Sequence, residues 1–180
     1  MGIILAVYRN CKRRLRQVSL DLHRRNLLKS VNGGTGLHLE GKIMVSHEEN
    51  LTLGQNVHIG KDAYINCKGG VTIGDYSVLS RDVTIYSYDH NFKNPRMLPY
   101  DDDTILKPVH IGRYVWIGMN VTIAPGTKIG DGAVIGMGTV VSGEIPENAI
   151  VVSDKPRIVG YRDTEHTKAL ISGRKFYESK

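Results

Sequence analysis

The sequence predicts an all-β fold, a coil of short extended segments stacked turn upon turn, and three observations lead there. Aliphatic residues followed by a small one recur at a step of six: Ile111-Gly112, Ile117-Gly118, Ile123-Ala124, Ile129-Gly130, Ile135-Gly136 and Val141-Ser142. Four residues after each aliphatic stands another small or branched residue: Val115, Val121, Thr127, Ala133, Thr139 and Ile145. The same grammar appears earlier, in Leu53-Gly54, Ile59-Gly60 and Ile65-Asn66, then in Ile73-Gly74, Leu79-Ser80 and Ile85-Tyr86. A period of six fits neither a helix of 3.6 residues per turn nor an uninterrupted alternating strand. It fits extended segments joined by tight turns, each sending one aliphatic inward. Three such segments close a triangular coil of 18 residues, which sets Ile111 over Ile129, Ile117 over Ile135 and Ile123 over Val141. No coil can bury its inner face alone, so stability must come from the stack. The small residue after each aliphatic suits a crowded corner, and glycine also tolerates the backbone angles of turns.

Along the chain, residues 1–32 read as a basic amphipathic helical segment, with Leu15, Val18 and Leu22 at helical spacing. Residues 1–30 hold eight Lys or Arg against Asp21 alone, a net +7, while the other 150 residues hold 16 bases and 17 acids. The basic character therefore belongs to this segment. Its apolar stripe is expected to pack on the main domain or on a neighbouring subunit, and its basic face offers a peripheral contact with an anionic membrane surface. No aromatic platform or recognised motif accompanies the charge, so nucleic acid is not expected as a partner. The longest apolar run near the N-terminus, Ile3 to Val7, is five residues, far short of the roughly 20 that span a bilayer. A cytoplasmic protein is expected, with the inner membrane face as the place the basic helix would favour. Cys11 and Cys67 show no CxxC or Cys/His spacing, which suits a reducing compartment.

The repeat domain is assigned to residues 33–160. "LHLEGKIMVSHEEN", from Leu37, breaks the six-residue grammar and is expected to form a partial first coil. From Leu53 to Ile73 is 20 residues, one coil plus two, with the extra pair near Gly69-Gly70. From Ile73 to Ile111 is 38, so about twenty residues leave the stack as a loop over 86–108. Residues 161–180 are expected to form a C-terminal helical tail.

The loop opens with "YSYDHNF", Tyr86 to Phe92. Histidine titrates nearest neutrality, so it suits removal of a proton from a hydroxyl or amine attacking a carbonyl. His90, at the foot of the long excursion, is the candidate base. Tyr86 and Tyr88 are placed to line an acceptor pocket; Asp89 is a candidate to orient His90 or only to shape the turn, and Asp101, Asp102 and Asp103 are candidates to reach an acceptor from the loop or, as is usual for adjacent acids there, to be solvated.

With the repeat and "YVWIGMNVTIAPGTKIGDGAVIGMGTVVSGEIPEN" (from Tyr114), the chain resembles the hexapeptide-repeat acyltransferases over about residues 50 to 160. It looks most like the branch of galactoside and maltose O-acetyltransferases, with related enzymes of surface-polysaccharide synthesis. The resemblance implies a left-handed parallel β-helix and an acetyl-CoA-dependent O-acetyltransferase acting on a sugar hydroxyl, with no metal required. It makes His90 the catalytic base and matches Asn66, in "YINCKGG", to an acceptor contact. Trp116 would line the channel near the thioester, and the amide of Met119 would donate to the oxyanion. Met137, Ser142 and Gly143 match cofactor contacts, and Arg157 would meet the phosphates. A homotrimer with active sites between subunits is implied, His90 coming from one subunit and the Trp116 coil from the next.

Two stretches depart from the branch. "VVSDKPRIVG" stands after the last coil, and Lys68 with two glycines follows Asn66 where an acid is usual, so a galactoside is not the expected acceptor. N-acetylation of an amino sugar nucleotide and a non-catalytic scaffold stay open as alternatives. A three-histidine zinc site of the kind this fold can carry is disfavoured, since His23, His38, His47, His58, His90, His110 and His166 include no His-x4-His pair.

Overall fold

A computed structural model describes residues 2–153 and 163–173. Its centre is a three-sided parallel β-helix whose faces are a six-stranded, a second six-stranded and a five-stranded parallel sheet, here faces A, B and C in the order the chain visits them. Each strand is two or three residues long, and on the three faces, Asn32–Gly33 apart, its inward residue is the aliphatic of the repeat. Backbone registers set Ile111 against Ile129 on face A, Ile117 against Ile135 on face B and Ile123 against Val141 on face C, as the six-residue step requires. Leu51, Ile65, Ile73, Leu79, Ile85, Ile117 and Ile123 are wholly buried. At about 1.5–3 kcal/mol for each side chain fully removed from water, these ladders are the principal source of stability.

Where a glycine follows the aliphatic on faces A and B, it is needed for space. A Cβ on Gly74 would sit 2.6 Å from the carbonyl carbon of Gly112 in the next coil, and one on Gly118 2.6 Å from the Met137 amide nitrogen. The left-handed backbone falls elsewhere, three residues after the aliphatic: Asn56, Asp62, Tyr76, Asp82, Tyr114, Asn120, Gly126, Gly132, Gly138 and Asn148 all have φ between 52° and 82°. Asparagine, aspartate and glycine tolerate that region best, which explains most of this column; Tyr76 and Tyr114 occupy it while stacking on each other at 5.8 Å.

The first coil is complete rather than partial. Gly33, Leu39 and Val45 pair with Leu53, Ile59 and Ile65, one on each face, at an offset of 20 residues. The two surplus residues lie at the edge where face C turns into face A, filled in this coil by a 3₁₀ turn, Glu48–Asn50. The same edge takes the Gly69-Gly70 pair in the next coil and the long excursion in the third. In the last coil the edge shortens: Ile129 pairs with Ile145 at an offset of 16, so Ile145 is a core-ladder residue and not the corner residue the regular step assigns.

Helix α1, Gly2–Ser30, leads into the first coil. Leu27 and Val31 are buried against it, but Leu15, Val18 and Leu22 are 66, 56 and 54% exposed, so the stripe does not pack on the domain of its own chain. Helix α2, Thr164–Ser172, is capped by Asp163, which accepts the His166 N–H at 2.8 Å. Among the described residues, no helix is long and apolar enough to cross a membrane.

Candidate active site

The chain leaves the stack at Tyr86 still alternating like a strand. Ser87 turns inward and is fully buried; its hydroxyl donates to the Asn66 carbonyl (2.8 Å) and accepts the Gly69 N–H (2.9 Å). Its own carbonyl takes the Lys107 N–H at 2.8 Å, so one serine ties the outgoing and returning arms of the excursion to the coil before it. Gly69 must lack a side chain here, because a Cβ would overlap the Ser87 carbonyl oxygen. Beyond this knot the excursion is a hairpin, Tyr88–His90 antiparallel to Thr104–Leu106.

Tyr86 and Tyr88 stay outside. The rings of Tyr64, Tyr86, Tyr88 and His90 follow one another at centroid distances of 5.5, 6.0 and 5.7 Å, and Tyr100, from the loop, stacks on His90 at 4.0 Å and 22°. A cavity of about 340 Å³ lies between Tyr86, Tyr88 and His90 on one side and Thr122, Ala124 and Pro125 of the next coil on the other. His90 Nδ1 is buried with no hydrogen-bond partner among the described residues. Nε2 is thereby left as the accessible nitrogen, and the ring is held by aromatic packing rather than by a bond.

Asp89 does not orient that ring. Its Oδ2 pairs with Lys107 Nζ at 3.2 Å, and its Oδ1 takes the backbone N–H of His90 at 3.0 Å. Asp101 does not face an acceptor either: it is buried and accepts from Arg96 N (2.8 Å), Asp103 N (3.1 Å) and Asn91 Nδ2 (3.1 Å). The Arg96 N–H foremost, then those of Asp103 and Asn91, hold its carboxyl below the usual range against the cost of burial. Asp103 pairs with Arg96 at 3.2 Å, and Asp102 is exposed.

Asn66 is buried beside Tyr86, its register partner on face C, and its Oδ1 accepts the Lys68 N–H at 3.2 Å. Hydrogen bonds from Tyr86, first, and then from Asn66 lower the Tyr64 phenol from its ordinary value; the same bond raises Tyr86. Lys68 Nζ lies 5.1 Å over the Tyr88 ring.

Trp116, Met119 and Met137 gather elsewhere, around a second cavity of about 300 Å³ on face B, lined also by Ser80 and Val134. Trp116 is 56% and Met137 70% exposed. The Met119 carbonyl accepts from Gly138 N at 2.8 Å, and no described residue accepts the Met119 N–H. One chain therefore does not join this group to His90: the two cavities open at opposite edges of face C. Ser142 and Gly143 are exposed at the end of the last face C strand, one rung beyond Ala124, and Arg157 lies outside the described residues.

The repeat is shared with known proteins. Residues 108–143 match the model of the bacterial transferase hexapeptide (six repeats), and residues 50–87 that of the hexapeptide repeat of succinyl-transferase. A maltose O-acetyltransferase from Clostridium difficile 630 is 30% identical, with a TM-score of 0.60 over 71% of this chain and 67% of its own. The chain belongs to the hexapeptide-repeat acetyltransferases. A galactoside acetyltransferase in complex with coenzyme A is 27% identical, with a TM-score of 0.57 over 75% of this chain and 68% of that one. A probable acetyltransferase of Mycobacterium tuberculosis is 34% identical over 145 residues, 79% of this chain; the chain spans about half (48%) of that relative's length.

The sequence reading missed four residues around His90: Thr122 and Pro125 in the cavity wall, and Tyr64 and Tyr100 among the stacked rings. Tyr64 was detectable, since it stands one 20-residue coil before Thr84 in the column next to Tyr86. Thr122 and Pro125 were within reach of coil arithmetic as the rung above. Tyr100 carried no signal, because the excursion has no period to place it.

Proposed function

We propose that this chain is an acetyl-CoA-dependent O-acetyltransferase that acylates a sugar hydroxyl, with His90 as general base. The observation that carries the reading is the His90 imidazole fixed by Tyr88 and Tyr100 at the wall of an aromatic cavity, with Nε2 accessible. The imidazole takes the acceptor hydroxyl proton as its oxygen attacks the thioester carbonyl. The tetrahedral oxyanion accepts the Met119 N–H, the C–S bond breaks, and the leaving thiolate recovers the proton from the imidazolium.

The face B cavity, with Trp116, Met119 and Met137, takes the thioester end of acetyl-CoA, and Ser142 and Gly143 take the pantetheine arm. Arg157 meets the phosphates. Tyr86, Tyr88 and Asn66 receive the acceptor. Because the two cavities open at opposite edges of face C, the reading needs two chains side by side, and a homotrimer places the His90 cavity of each against the Trp116 cavity of its neighbour. The exposed stripe of α1 and its basic charge favour an acceptor held at an anionic membrane surface, as a growing polysaccharide or lipid-linked sugar would be.

The test is thiol release from acetyl-CoA across a panel of sugars, sugar nucleotides and lipid-linked oligosaccharides. Turnover should fall by roughly 10²–10⁴ in His90→Ala, and the product should lose acetate in mild alkali. An alkali-stable product would make it an amide and turn the reading to N-acetylation. Equal turnover in His90→Ala would remove the histidine from the chemistry.

A further inference from the structure

On the outside of face B, at the first two coils, the parallel register sets His38 directly against His58. Leu39 and Ile59, the next residues along, turn into the core and are buried, so both imidazoles must point outward. Strands of a sheet lie about 4.8 Å apart, and the two rings continue that spacing, stacked at 5.0 Å and 26°. Glu40, two residues after His38, returns to the same side, and its Oε1 is 3.6 Å from His58 Nε2. One ligand atom from each of the three residues lies within 4.8 Å of the other two.

We propose that His38, Glu40 and His58 form a binding site for a zinc-type divalent cation, separate from the acetyl-transfer site. Bonds of about 2.0–2.2 Å to two imidazoles and a carboxylate set tetrahedral ligand atoms ~3.4 Å apart. The Glu40–His58 pair already stands near that separation, and His38 and Glu40 are exposed, so a turn of exposed side chains closes the rest. Two neutral imidazoles and a carboxylate are a borderline-soft donor set with net charge −1, which suits zinc and its first-row neighbours better than calcium or magnesium. The nearby Arg24 is turned to Asp21 at 3.4 Å. Trp116 stands two strands further along the same face, roughly 10 Å away by the strand spacing. A cation here ties the first coil to the second at the end of the stack where no coil lies beneath.

The sequence hides this cluster because its histidines are 20 residues apart, one coil plus the surplus pair. The test uses the untagged full chain and zinc alone, followed by calorimetry and thermal unfolding, with copper(II) as a spectroscopic probe. Expected are one zinc per chain, a rise in Tm of about 5–10 °C at a hundredfold excess over Kd, and a copper spectrum split by two imidazole nitrogens. His38→Ala, His58→Ala and Glu40→Gln should each weaken zinc at least tenfold without altering the far-UV spectrum, while His110→Ala on face A should keep full affinity. No zinc binding below about 1 mM, a loss under tenfold in either histidine variant, or an equal loss in His110→Ala would overturn the proposal.

Discussion

Removing the ring beneath His90 tests whether stacking, rather than a hydrogen bond, holds the proposed base. Tyr100 stacks on the imidazole at 4.0 Å and 22°, while Asp89 is engaged with Lys107 and Nδ1 has no hydrogen-bond partner among the described residues. An aromatic pair contributes about 0.5–1.5 kcal/mol beyond area burial. Tyr100 is 46% exposed, which places this pair in the lower half of that range, about 0.5–1 kcal/mol. At roughly 1.4 kcal/mol per tenfold, Tyr100→Ala should lower kcat about two- to fivefold, with KM for acetyl-CoA unchanged because the groups proposed to hold it line the other cavity. Tyr100→Phe, which keeps the face, should stay near the parent rate. The assay is thiol release under saturating acetyl-CoA. A Phe variant as slow as the Ala variant would assign the effect to the phenol hydroxyl, and an unaffected Ala variant would show that the stack does not position the base.

Further outcomes follow from burial and charge. Ile117→Ala removes a wholly buried rung between Leu79 and Ile135 and should cost about 2–5 kcal/mol in urea unfolding, whereas Ile150→Ala, 77% exposed, should cost less than ~0.5. Burial, with Glu48 and Glu49 nearby, pushes the Cys67 thiol up to about 12. Above pH 9 the unfolded chain ionises this thiol and the folded one does not, so stability should fall by up to ~1.4 kcal/mol per pH unit between 9 and 12, a decline that Cys67→Ala should remove. Asp101, held below its ordinary range, contributes loop order that is present above about pH 3.9 and lost as pH falls through its folded value; Asp101→Asn at pH 7 should speed proteolysis within 91–103 while leaving the global unfolding midpoint in place.

The ladders were legible because burial imposes one aliphatic per short strand, and a shared core forces the period to repeat. The same logic reached the Gly69-Gly70 surplus and the departure at Tyr86. It failed where local length changes: Ile145 enters the face A ladder two residues early, and the first coil is complete because "LHLEGKIMVSHEEN" keeps the step of six from Leu39 to Val45 without the small residue after Leu39 that marks the repeat elsewhere. The role given to glycine was half right, since space selects the residue after the aliphatic and the left-handed angle falls two residues later. Within the candidate site, His90, Tyr86 and Tyr88 were placed by the point of departure. For Asp89 and Asp101 the sequence left a ligand role and a turn-shaping or solvated one open, because an acid in a loop looks the same whether it faces a ligand or binds its own backbone. Trp116 and His90 were expected to come from neighbouring subunits, and within one chain they line separate cavities.

The edge between faces C and A absorbs nearly every change in coil length: two extra residues twice, about twenty in the hairpin, none between Ile123 and Ile129, and two fewer at Ile145. The other two edges keep their step throughout. Framework and recognition are thereby inherited as separable parts. A new hairpin can be spliced between Ser87 and Lys107 without retuning a single ladder, because closing a loop costs entropy only with the logarithm of its length. A change of acceptor in such a protein is then a local edit to one corner of the coil.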